Sequence, residues 1–157
     1  MKDKMTIILF SGEMDKAVAA FNLATTAAAS GMEVSIFFTF WGLNVIKKKS
    51  EYAISKSQLL MQKMFNILAS HNLPISRLNM FGLGSRMMKK LMKKTNMTSL
   101  EDLMKLAKEL GVKYIACTTT CEMMGLTKEH LIDDVNEFAG ATTYLAEAKE
   151  SKINLFI

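Results

Sequence analysis

Strands and helices alternate along nearly the whole of this chain, which predicts an α/β domain with a mostly parallel sheet of about five strands and helices on both faces. Three observations carry that prediction. Met5 to Phe10, Glu33 to Phe40 and Val112 to Ala116 are short apolar runs that read as buried strands. Segments of helical apolar spacing separate them, and glycines stand where those helices should stop. Pro74 is the only proline, and half of the residues are hydrophobic, so no stretch reads as disordered linker or low complexity.

Met5 to Phe10 opens the sheet, Ser11-Gly12-Glu13 breaks it, and a helix follows from about Met14 to Ser30, closed by Gly31. Glu33 to Phe40 is the second strand, and its spacing from the first fits a right-handed βαβ unit. Lys47 to Ser50 reads as a solvated break. Ile54 to His71 has helical spacing at Leu60, Met64, Ile67 and Leu68, and Asn72-Leu73-Pro74 stops it. Leu78 to Phe81 is expected to be a short strand and Gly82-Leu83-Gly84 a flexible loop. Arg86 to Lys94 sets Met87, Met88, Leu91 and Met92 opposite Lys89, Lys90, Lys93 and Lys94, a small basic amphipathic helix.

Thr98 and Glu101 have the spacing of a capping box for a helix running to Leu110, with Gly111 behind it. Val112 to Ala116 is the next strand. The remainder reads as a helix from Thr127 to Asp134, a short strand from Val135 to Phe138, a helix from Ala141 to Glu150 and a last strand from Ile153 to Ile157.

The 157 residues suit one domain, 1–157, able to bury roughly two thirds of its unfolded surface. The longest uncharged apolar run, Val34 to Ile46, is shorter than the roughly 18–20 residues of a membrane span, so no span is expected. Two cysteines and no signal-peptide pattern indicate a reducing compartment, the cytoplasm by default. The net charge of +5 is uneven, because residues 47–94 hold eleven Lys or Arg against Glu51 alone, a net +10 that leaves −5 on the rest. Ten of the fourteen methionines fall between Met61 and Met124, which fits an adaptable contact between copies or a simple compositional bias.

Both cysteines lie in Ile115-Ala116-Cys117-Thr118-Thr119-Thr120-Cys121-Glu122-Met123-Met124-Gly125. Cys117 stands where a buried strand gives way to a loop, and in open α/β sheets chemistry gathers beyond the carboxyl ends of the strands. The threonine hydroxyls can cap a following turn, so Cys117 or Cys121 is placed near backbone N–H groups that favour a thiolate or a persulfide. The competing reading is that each is a small buried hydrophobe. On one regular helix, β-carbons four residues apart are about 5–6 Å from each other, whereas a disulfide needs about 3.5–4.5 Å. A Cys117–Cys121 bond therefore requires a non-helical link. Ser11-Gly12-Glu13 and Trp41-Gly42 also follow parallel strands and are expected on the same edge. There Gly12 and Gly42 permit close backbone approach and Trp41 offers an apolar wall, unless it is simply packed.

Ser11 to Ala17 after the first strand, Phe37 to Leu43, Met80 to Gly84, Ala116-Cys117, Met123-Met124-Gly125, Ala141 to Leu145 and Asn154 to Ile157 together resemble the DsrE/DsrF/DsrH-like sulfur-trafficking family, in its DsrE-like, often peroxiredoxin-like-labelled branch. The resemblance covers nearly the whole chain. It implies a compact fold with flavodoxin-like layering and a sulfurtransferase-like carrier in which Cys117 relays sulfur as a persulfide. It also implies that Ser11, Gly12, Glu13, Trp41, Gly42, Thr118, Met124 and Gly125 line the site, that copies assemble as a homo-oligomer, trimer or hexamer, and that TusA-like or rhodanese-like proteins donate and accept the sulfur. Many relatives carry a single cysteine here, so Cys121 departs from the simplest pattern.

The main rival is a thiol–disulfide oxidoreductase, with Cys117 attacking and Cys121 resolving or supporting. It lacks the supporting arginine and PxxxTxxC-like setting of true peroxiredoxins. A nucleotide or flavin module is disfavoured because Ser11-Gly12-Glu13 lacks the repeated glycines of a phosphate-cradling loop, and no cofactor is expected. Arg86 to Lys94 could attract phosphates, but no aromatic side chain interleaves it. A solvated face, or a docking patch for an acidic relay partner, accounts for it better than nucleic acid or an anionic membrane. His71 and His130 form no ligand spacing with the cysteines, so no metal is expected either.

Overall fold

The computed structural model describes residues 3–48, 60–62, 73–77 and 79–157. β1 (Lys4–Leu9), α1 (Met14–Ala29) and β2 (Glu33–Phe38) make the first βαβ unit. A 3-10 helix over Phe40–Ile46 follows, then a second over Met80–Gly82, α2 (Leu83–Lys94) and α3 (Leu100–Glu109). The remaining elements are β3 (Lys113–Cys117), α4 (Thr118–Met124), a 3-10 turn over Lys128–His130, β4 (Glu137–Ala139), α5 (Ala141–Lys149) and β5 (Ile153–Phe156). The five strands lie in the order β4-β3-β2-β1-β5, and every pairing is parallel.

That order dictates the layers. From β1 to β4 the chain steps one way across the sheet, and then a single connection returns from β4 to the far edge beside β1. Right-handed crossovers put connections that run in opposite directions on opposite faces. On the first face, Ile7, Leu9, Ile36, Phe38, Tyr114 and Ala116 pack against Phe21 and Ala24 of α1 and Leu103 and Ala107 of α3, the main core. Each fully buried large apolar side chain there is worth about 1.5–3 kcal/mol. On the second face, α5 covers a smaller cluster of Phe37, Ile115, Cys117 and Ala139 through Tyr144. None of the residues of α5 is itself fully buried.

Several expectations are corrected. Thr127 to Asp134 is not a helix: only Lys128–His130 turn, with Thr127 and His130 capping each other. Leu131, fully buried, is drawn instead into an antiparallel bridge with Lys47, and Ile132 N–H donates to the Ile46 carbonyl. The strand expected at Val135 to Phe138 starts later, since Asn136 spends its side chain accepting the Tyr114 N–H at 2.7 Å. Asn79 to Phe81 is not strand, and the expected loop Gly82-Leu83-Gly84 leads into α2. Met80, Phe81 and Gly82 have φ of 37°, 56° and 90°, and Ser85 Oγ ties the turn to the Leu73 carbonyl and Asn79 Oδ1. Leu78 and most of the Ile54 to His71 helix lie outside the described residues.

The cap of α3 is Ser99 rather than Thr98, its hydroxyl accepting the Asp102 N–H at 3.1 Å. Lys47 is not simply solvated, because burial pulls its ammonium down to about 8; Lys48 beside it pairs with Asp133 at 2.7 Å. Only Met88 and Met92 of the apolar side of α2 reach the core, while Met87 and Leu91 stay exposed.

Two glycines fasten the loops at the carboxyl edge. A β-carbon on Gly42 would stand 1.9 Å from the Leu9 carbonyl oxygen, and one on Gly12 would stand 2.6 Å from that of Trp41. Both obstacles are backbone, so neither can swing away. Gly42→Ala is expected to cost at least about 3 kcal/mol in urea unfolding, as a severe steric substitution does. Gly140→Ala, whose β-carbon would meet only Thr118 Oγ1 at 3.9 Å, should stay within about 1 kcal/mol.

Candidate functional site around Cys117

β3 and β4 are neighbours whose outgoing connections separate, one into α4 on the main-core face and the other into α5 on the opposite face. In open α/β sheets ligands and chemistry gather where connections diverge in this way; Cys117 itself is buried, at 7% exposure. Cys117 sits there, as the last residue of β3, level with Ala139 and acting as the N-cap of α4. Strand alternation turns Ile115 and Cys117 toward α5, while Tyr114 and Ala116 turn into the main core.

Among the described residues, the thiol of Cys117 has a polar partner in Thr120. Thr120 Oγ1 donates to Cys117 Sγ at 3.4 Å. Thr39 Oγ1 lies 3.0 Å from Thr120 Oγ1. With the Thr120 proton directed at sulfur, Thr39 donates in turn to Thr120. Two hydroxyls in series thus point positive charge at the sulfur, and Thr120 is 3% exposed, where such a bond is stronger than in water. Thr39 enters the site because β2 and β3 are paired, with Phe38 level with Ala116.

Cys121 has a different setting. It packs in the main core at 4% exposure, and burial, with smaller contributions from Cys117 and Glu122, pushes its thiol up to about 11. The link Thr118 to Cys121 is helical, so the condition for a Cys117–Cys121 bond is not met, and both cysteines are free thiols.

The other anticipated residues divide. Gly12 and Gly42 bring the loops after β1 and β2 into backbone contact, with Gly42 N–H donating to the Phe10 carbonyl at 2.9 Å. Ser11 Oγ donates to Glu13 Oε2 at 2.8 Å, and Lys16 pairs with the same carboxylate at 2.5 Å. Lys16 first and Ser11 second hold the Glu13 carboxyl below its ordinary range. Trp41 is 41% exposed rather than packed away. It borders a row of aromatics in which Phe10 meets Phe40 at 5.1 Å and Phe156 at 5.7 Å between ring centroids. Phe40 holds φ at 48° to turn the chain off the sheet, an arrangement that costs about 1–3 kcal/mol.

Thr118 is half-buried at the start of α4. Met124 is buried in the main core and Gly125 is the left-handed C-cap, both at the end of α4 away from Cys117. Among the described residues, no group of three or more His, Cys, Asp or Glu is placed to hold a metal, and His71 lies outside them. No helix among them is long and apolar enough to cross a membrane.

Sequence reasoning named the hydroxyls of Thr118 to Thr120 together without distinguishing Thr120, and it did not single out Thr39. A signal for Thr120 was present: Cys117 and Thr120 have the N-cap to N3 spacing of a capping box, with a thiol in the capping position. For Thr39 there was none, because its partner is 81 residues away.

Two outcomes follow for the thiols. In a Cys121→Ser background, Thr120→Val should slow alkylation of Cys117 by iodoacetamide at neutral pH several-fold, while Thr120→Ser keeps the wild-type rate, since only valine removes the hydroxyl that donates to Cys117 Sγ. In a Cys117→Ser background, Cys121 should still react many-fold more slowly in the folded protein than in urea, because burial, the largest cause of its raised thiol, remains.

Comparison with known proteins agrees with this architecture. The model of the DsrE/DsrF/DrsH-like family matches residues 1–156. The chain is 42% identical over 157 residues to YrkE of Bacillus subtilis, an uncharacterised protein, covering 98% of this chain and 96% of that one. It is 38% identical over 161 residues to the sulfur carrier protein DsrE2 of Allochromatium vinosum, covering 98% of each. Among solved structures, MTH1491 of Methanobacterium thermoautotrophicum, of unknown function, superposes with a TM-score of 0.57 at 11% identity, over 99% of this chain and 100% of that one. The YchN protein of Escherichia coli superposes with a TM-score of 0.51 at 12% identity, over the whole of both chains. A parallel five-stranded sheet with its cysteine at the β3–α4 junction, matched by the family model from end to end, makes this chain a member of the DsrE/DsrF/DrsH-like family.

Proposed function

We propose that this protein is an intracellular sulfur carrier that holds sulfur as a persulfide on Cys117. The observation that supports it most is the setting of that thiol: a strand-tip cysteine where the connections leaving β3 and β4 diverge, with the Thr120 hydroxyl donating to its sulfur. The name of the relative DsrE2, a sulfur carrier protein, supports the same reading.

The transfer is an exchange at sulfur with no net oxidation. The Cys117 thiolate, its proton released to solvent, attacks the outer sulfur of a donor persulfide. The S–S bond of the donor breaks, its own thiolate leaves with the electron pair, and Cys117 carries the new S–S bond. An acceptor thiolate then attacks the terminal sulfur, and Cys117 leaves as thiolate. TusA-like or rhodanese-like proteins are the kind of donor and acceptor such a relay would use, and the cytoplasm is the compartment that keeps Cys117 reduced. The Thr39–Thr120 pair would steady negative charge on the sulfur at each stage, and the exposed aromatic edge with Trp41, Phe40 and Phe156 offers partners or further copies of this chain an apolar landing. A homo-oligomer, trimer or hexamer, would cover part of it.

The dithiol reading has less support, since Cys121 faces the main core with a thiol pushed up to about 11. Intact mass spectrometry of reduced protein after treatment with polysulfide tests the proposal. Gain of one or more sulfur masses in wild type and Cys121→Ser, and none in Cys117→Ser, is the expected result. Equal sulfur uptake by Cys117→Ser would overturn it, and a loss of two hydrogens requiring both cysteines would establish dithiol chemistry instead.

A further inference from the structure

We propose that α2, with the turn that precedes it, is a peripheral docking surface for anionic phospholipid bilayers. The surface is separate from Cys117 and does not depend on the carrier reading.

The first observation is an exposed apolar stripe. Leu83, Met87 and Leu91 follow one another at intervals of four on α2 and are 52%, 64% and 57% exposed. Residues at that spacing lie along one line of a helix. Met80, 66% exposed, and Phe81, fully exposed, extend the stripe at its amino end. Phe81 sits in a left-handed turn, φ 56°, that holds it clear of the body. The core attachment of α2, through Gly84, Ser85, Met88 and Met92, borders this stripe along one side.

The second observation is charge. Arg86, Lys89, Lys90, Lys93 and Lys94 are all exposed, and no acidic residue falls anywhere in α2. On the helical wheel every cation lies on the side of the stripe away from the core: Lys94 at its edge, Lys90 beside it, and Arg86, Lys93 and Lys89 further round. An apolar line bordered by lysines suits a helix lying in the plane of a membrane surface, apolar side chains in the acyl boundary and ammonium groups at the phosphates.

The composition selects lipid over a protein partner. Protein interfaces are enriched in arginine and depleted of lysine, whereas this face has four lysines to one arginine. It also separates lipid from nucleic acid, which would be held by the cations alone and gain nothing from Leu83, Met87 and Leu91. No helix among the described residues can cross a bilayer, so the attachment is reversible and interfacial.

The test is flotation of the full-length protein with vesicles of phosphatidylglycerol in phosphatidylcholine, beside phosphatidylcholine vesicles, a single-stranded oligonucleotide and soluble polyglutamate. Wild type should float only with the anionic vesicles, and less so at high salt. Phe81→Ser combined with Leu91→Ser, and Lys90→Glu combined with Lys94→Glu, should each weaken binding at least about tenfold, with circular dichroism and sulfur uptake at Cys117 unchanged. Absence of binding to the anionic vesicles would overturn the proposal. So would vesicle binding that the apolar variant leaves intact, or capture by oligonucleotide or polyglutamate as tight as by vesicles, either of which would reduce the patch to a general polyanion contact.

Discussion

The packing of Phe21, Phe38 and Tyr114 against one another underlies everything else in this molecule. Phe21 comes from α1, Phe38 from the end of β2 and Tyr114 from β3, with ring centroids 6.2, 5.7 and 5.5 Å apart. Two of the three contacts are edge-on, the arrangement aromatic quadrupoles prefer, each worth about 0.5–1.5 kcal/mol beyond the buried area. Tyr114 also donates its hydroxyl to the Met104 carbonyl of α3 at 3.1 Å. Four elements are thereby held to one point. Because Phe38 and Tyr114 fix how β2 and β3 lie together, Thr39 and Cys117, the residues immediately at their carboxyl ends, arrive at the same place.

The two thiols show how backbone geometry decides reactivity when chemistry is the same. Period-two alternation along β3 sends Cys117 to the thinly covered face, within reach of a hydroxyl. One turn of helix later, Cys121 points into the main core, where taking a charge out of water costs more than the surroundings return. A single peptide segment therefore presents one thiol that receives a hydroxyl hydrogen bond and one that burial pushes up to about 11. Glycine serves the same edge differently: Gly12 and Gly42 let two loops touch backbone to backbone, closing the floor beneath the aromatic row.

The two faces of the sheet are unequal, and the inequality matters for function. α1 and α3 bury one face fully, while α5 contributes chiefly Tyr144 to the other and β5 leaves Ile153 and Phe156 exposed. The larger core lies on the first face, and the exposed apolar side chains gather at the aromatic carboxyl edge and on α2.

Much of the fold was legible in the residues alone. Continuous apolar runs mark strands buried on both faces, and the positions of β1, α1, β2, β3 and α5 follow from those runs and from the glycines that end helices, to within a residue or two. The Cys117 strand tip was legible for the same reason. Misreadings came where a distant partner outbid local preference: Leu131 leaves a helical pattern to pair with Lys47, and Asn136 gives its side chain to the Tyr114 backbone. The sequence by itself determined the alternating α/β class, the position of Cys117 at a strand tip and the charge of α2, because hydrophobic period and residue chemistry are local properties. Only tertiary structure decided that β4 crosses back over the sheet, that Thr39 and Thr120 serve the sulfur, that Cys121 is silenced, and that Leu83, Met87 and Leu91 remain bare. Each of those depends on which residues far apart in the chain become neighbours in space.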